Sequence, residues 1–323
     1  MELKVNKNGE GFGIAVHDES VFYVRIDATS GKLKLINAAE VKYSESDDRN
    51  IRHWRGSVME NKIRIVEETG ECMKYCVPYK HLLTKKINVN SALADDIPDW
   101  LEWSLRQSLP KTDGIFAFDF YSLGENNINE SEYIASIFPE SVIDFMKSLR
   151  KNDDINIKPV SETVALYESI KLRDSSKISP FEFLLNFNCD YASYIAVSKT
   201  KFIADGHFEI RDNFKDSASL EYFVTDMQTA MNFHLNEEFP PEECSVILCG
   251  DINVESEIVK VLTSTLKTKI SFLKPFENFE ISDEVERLDD IKRNQHRFTS
   301  AIGTALTISS FSNKNAEEIP HTG

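Results

Sequence analysis

The side chains nearest the start of the chain that are equipped for chemistry are His17, Asp18 and Glu19. They fall in Phe12–Val24, which reads as a strand, a tight turn and a second strand. Two adjacent carboxylates are the groups a divalent cation takes, and an imidazole beside them is the commonest general base. The plainer reading is favoured for both. Adjacent acids in a surface turn are ordinarily solvated, and a lone histidine without an orienting partner has no catalytic work. The other metal-capable residues are five cysteines. Cys72 and Cys76 form CxxxC, Cys244 and Cys249 form CxxxxC, and Cys189 stands alone. With no histidine pair at ligand spacing this is a poor zinc pattern, and the cysteines read as buried, reduced thiols. The seven histidines are scattered and make no HExxH. The expectation is therefore no metal and no catalytic residue.

Composition narrows the classes further. The chain has 323 residues, enough for two ordinary domains or one bilobal unit. Hydrophobic residues at 41% and charged residues at 28% suit a globular protein with a proper core. A net charge of -16 argues against a phosphate-tracking nucleic-acid surface. No apolar run is long enough to span a membrane, and Met1–Asn6 lacks a signal-peptide core, so a cytoplasmic address is expected.

The elements that must hold these residues can be read from periodicity. The first forty residues alternate as an antiparallel meander. Val21, Tyr23 and Arg25 face one side and Phe22, Val24 and Ile26 the other, so the second strand should be covered on both faces. Thr29–Lys32 supplies a turn before Leu33, Leu35 and Ile36. A polar helix-like stretch, Ser46–Glu60, precedes strands at 62–67, 73–78 and 82–89. A helix begins at Asp95-Asp96-Ile97-Pro98, with Ile97, Trp100, Leu101 and Leu105 inward and Trp103 off the stripe. Strands at 114–123 and 133–138 follow, joined by a polar loop. An amphipathic helix after Pro139 carries Val142, Phe145, Met146 and Leu149 inward. Residues 157–160 lead into a helix, 161–172, apolar on most sides and so expected between layers. Arg173–Lys177 is the candidate hinge.

The second half opens with a central strand, Phe181–Phe187, then a hairpin of 193–197 and 201–203. Leu220 to His234 keep helical spacing. Val246–Gly250 is a buried strand, Val254 to Leu266 a helix, Lys269–Leu273 a strand and Phe298–Ile308 a last helix. The acidic stretch Glu277–Asp290 reads as a solvated helix–loop. Each half thus starts with an antiparallel hairpin and continues into alternating helix and strand, as in a mixed sheet covered by helices.

The order of these elements resembles the type IV pilus assembly protein PilM and its relatives, cousins of FtsA in the actin-like ATPase superfamily. The likeness runs over about residues 10–308. It is carried by Gly13-Ile14-Ala15-Val16 with Ser20-Val21, by the helix Trp100–Pro110, and by Phe118-Asp119-Phe120-Tyr121-Ser122-Leu123-Gly124. Lys158-Pro159-Val160-Ser161-Glu162, Lys274-Pro275-Phe276 and Ala301–Leu306 continue it. The resemblance implies an α/β, ribonuclease H-like bilobal fold with two mixed sheets flanked by helices. The implied division is a first lobe of 1–94 plus 159–175, an inserted α/β subdomain of 95–158, a second lobe of 176–308, and a disordered tail, 309–323.

The departures from the family carry the functional expectation. At the first phosphate hairpin the family's aspartate, glycine and lysine fall on Ala15, His17 and Phe22, after Gly13. At the second, its Asp-x-Gly falls on Asn186-Phe187-Asn188. At the adenosine strand its paired glycines fall on Gly250-Asp251. ATP needs close-approaching backbone N–H groups and carboxylates to organise magnesium, and these substitutions remove both. The resemblance therefore implies a degenerate pocket with no cofactor, in a non-catalytic scaffold. The competing expectation is an active ATPase or kinase with rearranged ligands, using ATP and magnesium through Asp18 with Asp190 or Asp251. As partner, the family implies the short cytoplasmic peptide of a bitopic inner-membrane protein like PilN. Trp103, Phe118, Phe120 and Tyr121 would line its groove, aromatic residues being common anchors. Self-association is left open.

Overall fold

The computed structural model describes residues 10–17, 20–28, 32–42, 73–90, 100, 103–105, 107, 116–125, 130–149, 157–174, 178–211, 214, 217–235 and 243–307. Expected elements at 46–60 and 62–67, most of the helix from Asp95, the turn acids Asp18 and Glu19, the hinge residues 175–177, Cys72 and the tail 309–323 lie outside them.

Two sheets repeat one topology. The first contains β1 (Glu10–His17), β2 (Ser20–Asp27), β3 (Lys34–Lys42), β4 (Met73–Val77) and β8 (Ile157–Ser161), in the order β3-β2-β1-β4-β8. The second contains β9 (Phe181–Phe187), β10 (Tyr191–Ser198), β11 (Lys201–Glu209), β12 (Cys244–Gly250) and β13 (Lys269–Phe272), in the order β11-β10-β9-β12-β13. In both, three antiparallel strands are followed by two parallel ones. The echo between the halves is thus a shared strand order. Between β4 and β8 sits a third, antiparallel sheet of β5 (Leu83–Asn90), β6 (Phe116–Glu125) and β7 (Glu130–Pro139), ordered β5-β7-β6.

Helices fill the spaces between and outside the sheets. α1 (Glu140–Leu149) lies on the outer face of the first sheet, where Val142 joins Phe12, Ile14, Tyr23, Met73 and Phe138. α2 (Glu162–Ile170) is buried at every residue, as its all-round apolarity predicts. Ser161 caps it, its Oγ accepting from Val164 N at 3.3 Å. α3 (Ser217–Leu235) and α4 (Glu257–Thr265) cover the outer face of the second sheet through Leu220, Phe223, Met227, Ile258 and Leu262. After β14 (Glu280–Ile281) come α5 (Leu288–Arg293), a 3-10 turn at Gln295–Phe298, and α6 (Thr299–Leu306). One core runs from Phe22, Val24 and Ile26 through α2 and α6 to Leu184, Ile195 and Ile247, so both lobes share it.

Several expectations change. Residues 157–161 lead into α2 as expected, but they also form a parallel strand, β8. Pro159 is tolerated because β8 is the sheet's outermost strand, where a missing N–H costs little. β5, expected among the strands of the first lobe, pairs with β7 in the sheet of β6 and β7. Residues 280–306 do not stay with the second lobe. β14 pairs in parallel with β3, and α6 packs on β1 and α2. The acidic stretch there therefore supplies an edge strand. Trp100, expected inward, is 37% exposed, while Leu105 takes the inner position beside Val89, Phe120 and Tyr133. Val254 lies before α4 and is exposed. Cys76, Cys244 and Cys249 are buried thiols outside any disulfide, but Cys189 is exposed in the β9–β10 turn. No helix among the described residues is long and apolar enough to cross a membrane.

Candidate functional site

The two hairpins, β1–β2 and β9–β10, face each other across the shared core, and the carboxylate of Glu162 lies between them. Glu162 opens α2 and is 2% exposed. A carboxylate there must find donors inside the protein, and it finds five. Its Oε1 accepts from Ser193 Oγ at 2.8 Å, from Asn188 Nδ2 at 3.3 Å and from Asn186 Nδ2. Its Oε2 accepts from Tyr79 N at 2.6 Å and Tyr191 OH at 3.0 Å. Tyr79 follows β4 of the first sheet, whereas the other four belong to the second sheet or its hairpin turn. One side chain therefore ties the lobes together with an anion's worth of donors.

Around it the cleft is packed. Ala15, Val16, His17, Cys76, Pro78, Asn188, Tyr191 and Ser300 enclose, with Glu162, a cavity of about 10 Å³. That is room for about one water. His17 is buried with its ring edge-on to Phe22 at 5.0 Å, and Phe22 meets Phe298 at 5.1 Å. On the other side of Phe22 the Arg297 guanidinium lies 5.1 Å from the ring centre. Arg297 also bridges the lobes, reaching Glu40 of β3 at 2.8 Å and Asp251 beyond β12 at 2.7 Å.

The glycines at the expected phosphate positions serve packing. A Cβ on Gly13 would lie 2.0 Å from Ala301 O, because α6 crosses β1 at backbone distance. Gly250 has φ +82°, and a Cβ there would come 2.3 Å from Phe187 O, whose oxygen accepts from Asp251 N at 2.8 Å.

The nearby thiols and phenols are held neutral. Burial, then the neighbouring Glu162 charge, pushes the Cys76 thiol up. Burial does the same for Cys249. Tyr191 is raised by burial and by Glu162, and Tyr79 is pushed up to about 12, mainly by burial and then by Asp205. A thiol is nucleophilic only as thiolate, so neither cysteine is poised for attack. Asp190, exposed in the β9–β10 turn, pairs with Lys80 at 2.9 Å, and Asp251 pairs with Arg297. Among the described residues no three of His, Cys, Asp and Glu converge as a metal site.

The four aromatic residues of the expected partner groove do not share one surface. Phe120 is 6% exposed, in the core of the inserted sheet with Leu105 and Ile137, and Phe118 packs on the same face. Tyr121, one residue on, points the opposite way, as strand alternation requires. It bonds to Glu168, receives Lys171 Nζ at 2.8 Å and meets the Tyr167 ring at 6.0 Å. Trp103 is 61% exposed. Of the four, Trp103 has the exposed ring, and Phe118 is half-buried. Sequence reasoning missed Glu162 and Arg297. The usable signal for Glu162 was an acid opening a helix with no solvent face.

No known family model matches the chain, and no curated protein matches it in sequence. Solved structures do match. The chain is similar to one in a PilM–PilN type IV pilus biogenesis complex, with a TM-score of 0.69 and 12% identity over 92% of this chain and 97% of that one. It is also similar to a Bacteroides thetaiotaomicron protein with an actin-like ATPase fold and unknown function, at a TM-score of 0.51 and 12% identity over 83% and 91%. With its duplicated strand order and shared interlobe core, the chain has the actin-like ATPase fold.

Proposed function

We propose that this protein is a non-catalytic actin-fold scaffold that holds no nucleotide and docks a membrane partner in a pilus- or secretion-type assembly. The observation that carries the first half is the Glu162 network. A nucleotide would need hundreds of Å³, and the enclosed cavity here holds about 10 Å³. The donors that could have bound phosphate are spent on an internal carboxylate, and Phe22 is clasped by His17, Phe298 and Arg297. A triphosphate with magnesium does not fit these residues. Of the carboxylates an active enzyme was expected to use, Asp190 is paired with Lys80 and Asp251 with Arg297, and Asp18 lies outside the described residues.

The second half draws support from the likeness to a protein solved as PilM–PilN, a complex of a type IV pilus. By analogy the partner is the short cytoplasmic peptide of a bitopic membrane protein, and Trp103 on the inserted subdomain is the exposed anchor offered to it. The reading places the protein in the cytoplasm, at the membrane through its partner. The test is thermal unfolding with and without millimolar MgATP, beside affinity capture from detergent-solubilised membranes. No shift with ATP, and capture of a single-span protein that is lost in Trp103→Ser, are expected. A clear MgATP-dependent shift would remove the first half, and capture indifferent to Trp103 the second.

A further inference from the structure

Away from the cleft, the second lobe carries a groove of about 600 Å³ between α3 and β11. Its helix wall is a single stripe. Tyr222, Asp226 and Phe233 recur at helical spacing along about 16 Å of α3. Tyr222 is 60% and Phe233 75% exposed, unusual for rings of this size. The floor is Phe208 stacked on Tyr194 at 4.9 Å, with Glu209 on the strand side.

The strand side is open for pairing. β11 is an edge strand. Ile210 N donates to Asp190 O at 2.9 Å, which sets the even-numbered residues of this stretch in hydrogen-bonded pairs with β10. The backbone N–H and C=O groups of His207 and Glu209 are thereby turned to the outer edge. The first part of β11 is covered by β5, where Lys86 Nζ donates to Phe202 O at 3.2 Å and Thr84 bonds to Asp205. Residues 206–209 carry no proline, and their pairing with β10 has no bulge, so two of the usual protections of an edge are missing there.

The chemistry of the walls selects the occupant. Two solvent-facing carboxylates, Glu209 and Asp226, stand beside exposed ring faces, a combination that attracts cations. The chain shows the match itself: the Arg211 guanidinium lies 5.6 Å from the Tyr222 ring centre, with its Nε 4.0 Å from Glu209.

We propose that this groove takes an extended, basic segment of a partner protein, added as a further strand to the outer edge of β11. An arginine or lysine side chain of that segment lies across Tyr222 and Phe233 toward Asp226. Strand addition supplies affinity through the backbone, and the acidic, aromatic stripe supplies the choice of side chain. This surface is separate from the inserted subdomain that carries Trp103.

The test uses the full chain and a phage-displayed library of random 12-residue peptides, with selected sequences then synthesised and measured by fluorescence anisotropy. Expected are peptides with a basic residue among alternating apolar ones, losing at least tenfold in affinity on Asp226→Lys and on Phe233→Ser. Both positions are solvent-facing, so the variants fold. N-methylation of alternate peptide amides should cost a similar factor, as strand pairing demands. Peptides that are acidic, that tolerate N-methylation, or that ignore both variants overturn the proposal, as does a library yielding no binder. Sedimentation showing self-association abolished by Phe233→Ser would also overturn it, by assigning the groove to a second copy.

Discussion

Ser193 Oγ stands 2.8 Å from Glu162 Oε1, a hydrogen bond between the middle of one sheet and the helix that follows the other. With Tyr79, Asn186, Asn188 and Tyr191 it makes Glu162 a side chain to which both lobes donate. Glu162→Ala leaves several buried donors without an acceptor, at about 1–3 kcal/mol each before relaxation. The expected loss is on the order of 3 kcal/mol, with Glu162→Gln losing less. Urea unfolding followed by circular dichroism measures it, and a midpoint within error of wild type would refute the assignment.

Gly13 answers a different question, whether the first hairpin's glycine serves a ligand or a helix. Gly13→Ala would drive a methyl into Ala301 O and Ala305 N. Overpacking of this kind costs about 1–3 kcal/mol, more when the obstacle is backbone. A lowered melting temperature without any ligand present is expected. An unchanged one would return the glycine to a ligand-binding role.

The pH response should be led by His296, buried against Phe272 with its Nε2 2.9 Å from Ile252 O. Burial holds its pKa below the usual 6.5. The Ile252 carbonyl opposes that shift, Arg297 adds to it, and Asp251 opposes it. A depressed histidine stays neutral in the fold while the unfolded chain takes up a proton near pH 6.5. Its contribution is whole above that pH and is lost as pH falls below it. Wild type should therefore lose its stability advantage over His296→Gln between pH 7.5 and pH 5.5 in urea titrations. A constant gap would assign the pH response to other groups.

On the inserted subdomain, Trp103 and Phe120 should behave oppositely. Trp103→Ser alters an exposed ring and should move stability by no more than about 0.5 kcal/mol. Phe120→Ala empties a core site and should cost about 3–5 kcal/mol. Chemical denaturation of the two variants side by side decides this. A large loss in Trp103→Ser would mean that the ring is structural.

How much of this was legible beforehand follows from what each element is made of. β2, β9 and the buried α2 are mostly apolar on both faces, and such segments have few places to go. α3 repeats its apolar stripe over four turns. β8 was hidden by Pro159, because proline reads as a break unless the strand is known to lie at an edge. β14 is two residues long and has no pattern of its own. It exists only because β3 offers it an open edge. The substitutions at Ala15, His17 and Phe22 were visible as departures, but not what replaced the missing ligands. Glu162 and Arg297 are drawn into place by hydrogen-bonding partners 24 to 257 positions away, as with Asn186 on Glu162 or Arg297 on Glu40. No window of sequence contains both ends of such a contact.

The pairing of β14 with β3 has a consequence for synthesis. Until residues 280–306 leave the ribosome, the β3 edge of the first sheet has no β14 beside it, and the glycine-lined face of β1 has no α6 against it. The opening meander must then wait, half-dressed, through the translation of more than two hundred residues. A nascent chain stalled before 280 is where holdase chaperones should be found bound.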